Sequence, residues 1–261
     1  MRVRSGDTEI FYEVSGNGPD LVLLHPFPAS HHVWGGVAEL LSTRYRVITP
    51  DLRGLGDSPI GDRPATMQQH AEDLLAVLQD VGVVKASFAG NSIGGYILFE
   101  FWRRFRERVE ALVFVDTKAS ADGDDARKTR LQAAEDVLKR GTEPFIEAQL
   151  PKLIGESTHR NRPDVVQNAK RWMMQASAMG IAAVQRGMAE RADSVPTLST
   201  INVPTLILWG EEDTATPLAE MEKIHSGIRN SRLRRIPKAG HYAPLEAPEQ
   251  VHLALREFLG R

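Results

Sequence analysis

Short apolar runs alternate with helix-length amphipathic segments along most of the chain. Residues 21–24, 45–49, 86–89 and 111–115 are brief and largely apolar; residues 204–209 repeat the pattern much later, and 233–236, with two arginines between Leu and Ile, follow as a further short strand. Runs of this length without polar alternation predict strands covered on both faces, as in a parallel sheet. Residues 8–14 alternate instead and run into SGNGPD, a dense turn signal, so they predict a hairpin arm. Helical patterns lie between the runs, at 33–41, 67–81, 93–105, 217–228 and 248–259. The β-α-β-α order predicts an α/β fold built on a doubly wound, mostly parallel sheet.

The alternation breaks between about residues 120 and 196, where every pattern is helical. Residues 122–140 end at Gly141, a residue suited to the position after a helix. Thr142-Glu143-Pro144 then supplies an N-cap and early helical positions, and helices are predicted again at 163–177 and 181–191. Four of the seven methionines fall in this stretch: Met173, Met174, Met179 and Met188. The expected organisation is a core of residues 1–119 and 197–261, interrupted by a helical lid of residues 120–196.

Composition narrows the function. The chain has 261 residues, 42% apolar and 25% charged, an ordinary globular mix for one domain carrying an insertion. Thirty-two Lys plus Arg against 34 Asp plus Glu gives −2, without the basic surplus of a nucleic-acid partner. The absence of cysteine excludes disulfides, thiolate catalysis and thiolate metal sites. No apolar stretch is long enough to span a bilayer, and the first residues carry no signal-peptide core. These features predict a cytoplasmic protein without a membrane partner.

Gly90-Asn91-Ser92-Ile93-Gly94 reads G-x-S-x-G, after a strand pattern and at the start of a helical one. A sharp strand-to-helix turn forces the serine backbone into strain, so its close neighbours must lack a Cβ. Such a turn lifts the hydroxyl above the strand's carboxyl end, where open α/β sheets bind ligands. A serine hydroxyl is a weak nucleophile until a base takes its proton. Of eight histidines, His241 is the best placed, on the loop between the last strand pattern and the last helix. His31, His32, His70, His225 and His252 fall on helical patterns, and His159 lies in a polar part of the insertion. His25 ends a strand and could fix the shape of its own loop. A carboxylate must hold the base's tautomer. Asp213, beyond the strand at 204–209, gives the order Ser92, Asp213, His241 expected with this turn. Asp116, Glu211 and Glu212 compete for the role. The oxyanion needs two backbone N–H donors. Ile93, after the serine, is one. The other comes from His25-Pro26-Phe27-Pro28, where neither proline has an N–H, leaving Phe27.

With these residues in place, the chain resembles the serine hydrolases of the α/β-hydrolase superfamily over its whole length. The likeness rests on HPF at 25–27, DLRGLGDS at 51–58, GNSIGG at 90–95, GEED at 210–213 and GHYAPLEAPE at 240–249. It is greatest to small bacterial carboxylesterases and 3-oxoadipate enol-lactonases. The resemblance implies Ser92 as nucleophile, His241 as base, Asp213 as its orienter, Phe27 and Ile93 as oxyanion donors, and Asp51, Arg53 and Gly54 as structural. Pro26 departs from the pattern, since many relatives have Gly there; it should stiffen the loop and leave the Phe27 donor.

The implied partner is a small ester, with a lactone as the alternative and a non-turnover ligand receptor as a remote one. Serine at 92 argues against the dehalogenases and epoxide hydrolases of the superfamily, which use Asp; C–C bond hydrolases keep the serine. No phosphate-binding loop and no three-ligand metal cluster stands out, so no cofactor or metal is expected. Candidate pocket residues are His25, Trp172, Met173, Met174 and Met179, because Met adapts to varied apolar ligands. The insertion's charges nearly cancel, 12 basic against 11 acidic between residues 122 and 193. A carboxylate-bearing lactone would need one or two specific cations there, from Arg127, Arg130, Lys170 or Arg186.

Overall fold

The computed structural model describes residues 1–260. The first strands are β1 (Arg2–Ser5), β2 (Thr8–Ser15) and β3 (Asp20–Leu24), followed by α1 (Gly35–Leu41) and β4 (Arg46–Pro50). Then come α2 (Met67–Asp80), β5 (Ala86–Asn91), α3 (Ile93–Phe105) and β6 (Val109–Val115). The next six helices are α4 (Asp124–Arg140), α5 (Thr142–Leu153), α6 (Glu156–Asn161), α7 (Pro163–Met173), α8 (Ala178–Ala189) and α9 (Val195–Leu198). The chain closes with β7 (Thr205–Gly210), α10 (Leu218–Gly227), β8 (Ser231–Ile236), α11 (Ala243–Glu246) and α12 (Pro248–Leu259).

The eight strands form one sheet in the order β1-β2-β4-β3-β5-β6-β7-β8. All pairs from β4 to β8 are parallel; β1 and β2 join antiparallel at one edge. This is the α/β-hydrolase fold. The strand at residues 8–14 therefore has a partner that was not expected, since RVRS is short and mostly polar, with both arginines exposed, as suits an edge. The short α6, α9 and α11 were also not expected.

Successive side chains of a strand face opposite layers, and here both layers are apolar. Val22, Leu24, Phe88 and Phe114 pack into one core with α2 and α3. Leu21, Leu23, Ala89, Val113 and Val115 pack into the other, with α1 and α12. Burial on both faces is why these strands read as continuous apolar runs. The helices α4, α5, α7 and α8 join the first of these layers through Ala134, Ile146, Met173 and Ile181. Helix α8 meets the core loop at two glycines. A Cβ on Gly180 would stand 1.9 Å from the Gly54 oxygen, and one on Gly187 would stand 1.8 Å from the Ala65 oxygen. Among the described residues no helix is long and apolar enough to cross a membrane.

Candidate active site

Ser92 sits between β5 and α3 at φ 55°, ψ −115°. A non-glycine residue held there costs on the order of 1–3 kcal/mol, so its surroundings must over-determine it. They do so through the backbone. Ser92 N–H donates to Val115 O at 2.9 Å, and Ser92 O accepts from Gly95 N–H at 2.9 Å and from the Thr117 hydroxyl at 2.6 Å. The glycines make room for this turn. A Cβ on Gly90 would stand 2.4 Å from Gly94 C, one on Gly94 2.7 Å from Leu24 O, and one on Gly95 2.5 Å from Thr117 Oγ1.

The loop after β7 carries Asp213. Its Oδ1 accepts from the amides of Ala215 at 2.7 Å and Thr216 at 2.9 Å. Oδ2 lies 2.9 Å from His241 Nδ1. A carboxylate can only accept, so Nδ1 carries the proton and Nε2 is left as an acceptor. Both side chains are buried. The competing acids are engaged elsewhere. Glu212 accepts from the amide of Ser157 at 2.7 Å, and Glu211 is exposed. Asp116 Oδ1 accepts from Gly210 N–H at 2.7 Å, while its Oδ2 has no partner among the described residues. Burial, and then the charge of Asp213, push the Asp116 carboxyl well above its ordinary range.

Two tethers join the His241 loop, after β8, to the rest of the site, and neither was read from sequence. The Asn91 side-chain amide donates to the His241 carbonyl at 3.0 Å and to Val115 O at 3.2 Å. The Tyr242 hydroxyl donates to Phe27 O at 3.0 Å. Both residues lie within the quoted motifs, but only the fold reveals what they hold.

His25 braces the Phe27 loop from within. Leu52 N–H donates to His25 Nε2 at 2.9 Å, so Nδ1 carries the proton and donates to Pro26 O at 3.0 Å. Burial pushes its pKa down to about 4, which keeps the ring neutral near pH 7. Ile93 is the first residue of α3, where an N–H has no intrahelical acceptor.

Ser92 and His241 line one cavity of about 140 Å³. Phe27, Tyr96 and Lys118 from the core line it too, with Arg130, Gln149 and Gln185 from α4, α5 and α8. The expected pocket residues are not among its lining. His25 is fully buried behind the loop, and Met173 is fully buried in the core. Trp172 stacks on His32, with ring centroids 5.2 Å apart. Met174 and Met179 are exposed, Met179 on a separate groove. An apolar helix residue that packs the core has the same spacing as one that lines a pocket, so periodicity could not separate them. Of the four basic candidates only Arg130 reaches the cavity. Arg127 is exposed, Lys170 pairs with Glu147 at 3.1 Å, and Arg186 pairs with Glu135 at 2.6 Å.

Two larger hollows lie away from Ser92. One, of about 670 Å³, is at the amino ends of the strands around Ser87, Glu110 and Ser231. The other, of about 600 Å³, is a surface groove around Arg63 and Met179. Open α/β sheets bind ligands at the carboxyl ends of their strands, where the smaller cavity lies.

Comparison with known proteins agrees with this architecture. An esterase from Thermogutta terrifontis, solved with malate bound, superposes over all of this chain and 97% of its own, with TM-score 0.96 and 37% identity. A 3-oxoadipate enol-lactonase from Acinetobacter baylyi is 26% identical over 95% of this chain and 91% of its own. A putative 2-succinyl-6-hydroxy-2,4-cyclohexadiene-1-carboxylate synthase from Bacillus subtilis is 28% identical over 95% and 94%. The family model described as the alpha/beta hydrolase fold matches residues 19–248, and the chain, a hydrolase by this kinship, belongs to that family.

Proposed function

We propose that the protein is a serine hydrolase of small carboxylic esters, with Ser92 as nucleophile, His241 as general base and Asp213 as the residue that orients it. The observation that carries this reading is the 2.9 Å bond from His241 Nδ1 to Asp213, which leaves Nε2 as an acceptor in the cavity that Ser92 lines.

Ser92 Oγ attacks the ester carbonyl while His241 Nε2 takes its proton. The amides of Phe27 and Ile93 receive the developing oxyanion, and the positive end of α3 adds to its stabilisation. His241 then gives the proton to the leaving alcohol. Water enters, loses a proton to the same nitrogen and attacks the acyl carbonyl; His241 returns that proton to Ser92 Oγ as the C–Oγ bond breaks and the acid leaves. Residues 120–196 act as a lid, and Arg130, Gln149 and Gln185 supply its lining over the acyl group.

A lactonase reading uses the same residues and gives one ring-opened product. The likeness to the enol-lactonase favours it as the second reading. Relative kcat/KM on lactones and linear esters separates the two, because specificity is a difference in transition-state binding. Ser92→Ala tests both readings. It should keep the melting temperature near wild type and abolish turnover of a short p-nitrophenyl ester. Undiminished turnover would refute the assignment.

A further inference from the structure

The cavity wall beside Ser92 carries two cations and no acid. Lys118 and Arg130 line it, with Gln149 and Gln185 as neutral neighbours. Both cations are held from behind by Asp122, Lys118 Nζ at 3.0 Å and Arg130 Nε at 2.5 Å. Asp122 lies outside the lining, its side chain 1% exposed, and Arg191 donates to both of its oxygens at 2.6 and 2.9 Å. Arg191 is buried and stands over the Tyr96 ring at 4.3 Å.

Charge and donors are both in surplus at this wall. Asp122 faces Lys118, Arg130 and Arg191. The next acid, Glu220, bonds Lys223 at 2.9 Å and the Ser120 hydroxyl at 3.0 Å and also feels the charges of Lys118 and Arg191, so two carboxylates face four cations. Burial pushes the Asp122 carboxyl up, but the guanidinium groups of Arg191 and Arg130 more than reverse this, so it stays ionised and serves as anchor. Arg130 Nη1 donates to Gln185 Oε1 at 3.1 Å, while Nη2 has no hydrogen-bond partner among the described residues. Lys118 Nζ makes one bond of the three it can donate. Because Gln185 Oε1 is taken, its amide is free to donate. The Lys118 and Arg130 side chains are 26% and 23% exposed on the cavity side, so an anion that enters exchanges places with water on donors already turned toward it.

We propose that this wall reads a carboxylate on the substrate, so that the preferred ester is a short monoester or lactone of a dicarboxylic acid. Its free acid end rests on Arg130 and Lys118 while its ester carbonyl lies at Ser92. Arg130, on α4, and Lys118, just after β6, are then specificity determinants. The proposal rests on Ser92 being the nucleophile.

The test compares monomethyl glutarate with methyl pentanoate, neutral and of equal chain length, by acid release from the full chain. Wild type should favour the anionic ester by about ten-fold or more in kcat/KM, because a site built for a polar group rejects the analogue that lacks it. The preference should shrink as salt is raised. Arg130→Gln and Lys118→Met should each cut the ratio of the two esters, and Arg130→Lys should restore part of it. If Arg130→Gln fails to fold, Lys118→Met carries the test, since its ammonium holds Asp122 alone. Equal or better turnover of methyl pentanoate overturns the proposal and leaves the hydrolase intact. So does a ratio that neither neutral variant changes. No turnover of either ester by wild type overturns the proposal, and turnover of the p-nitrophenyl ester then shows whether the serine-hydrolase reading survives it.

Discussion

The Asn91 side chain donates to the His241 carbonyl at 3.0 Å, so the residue before Ser92 holds the loop that carries His241. The two positions are 150 residues apart. Asn91 is fully buried and its amide also binds the end of β6, where Val115 O already takes the Ser92 N–H, so turning it away leaves the His241 carbonyl unpaired. Asn91→Ala should lower stability by about 1–3 kcal/mol, the cost of leaving a buried acceptor unmatched. It should lower kcat more than it raises KM, because the loss is one of alignment. Urea unfolding and steady-state kinetics on the same preparation check both.

Backbone strain at Ser92 separates two inactive variants. Alanine keeps the unfavourable φ of 55°, whereas glycine does not object to it. Relief of strain is worth about 1–3 kcal/mol, and the looser unfolded chain of glycine takes back only about 0.4–1. Ser92→Gly should therefore melt above Ser92→Ala, although both lack the hydroxyl. Differential scanning calorimetry decides it.

Asp213→Asn should keep the fold, because an amide oxygen can still accept from Ala215 and Thr216. An amide NH₂ toward His241 would instead place the ring proton on Nε2, where it blocks the base. A loss in kcat of roughly 10⁴ is expected, with the melting temperature little changed.

Asp122 links stability to pH. Its carboxyl is held below its ordinary value of 3.8, so the stability it contributes is present above that pH. That stability fades as pH falls through the lower folded value. Asp122→Asn leaves the buried Arg191 without its counterion, which should cost about 3–5 kcal/mol at pH 7. The gap from wild type should narrow below pH 3.8, where the carboxyl of the unfolded chain begins to protonate while the folded one stays ionised. Chemical denaturation across that range measures it.

The sheet was legible because its signals are local: runs such as 21–24 are apolar on both faces, and the core is split accordingly between Val22 and Leu23. The turn at Ser92 was legible for the same reason, since glycine is required within a few residues of the strain. His241 and Asp213 could be picked from chain order and loop position. The tether from Tyr242 to Phe27 spans 215 residues and leaves no local trace. The cavity wall was equally hidden. Arg130 and Arg127 lie one turn apart on α4 and differ only in what the fold sets before them. Lys118 was not considered at all, because it follows a strand outside the helical stretch.

The most direct measurement is mass-spectrometric mapping of a serine-directed phosphonate on the intact protein. Catalysis through Ser92 predicts one label per chain, on the peptide containing Ser92. Labelling should run in step with loss of esterase activity and be slowed severely in His241→Gln. A label on another residue, or full labelling with activity retained, would contradict it.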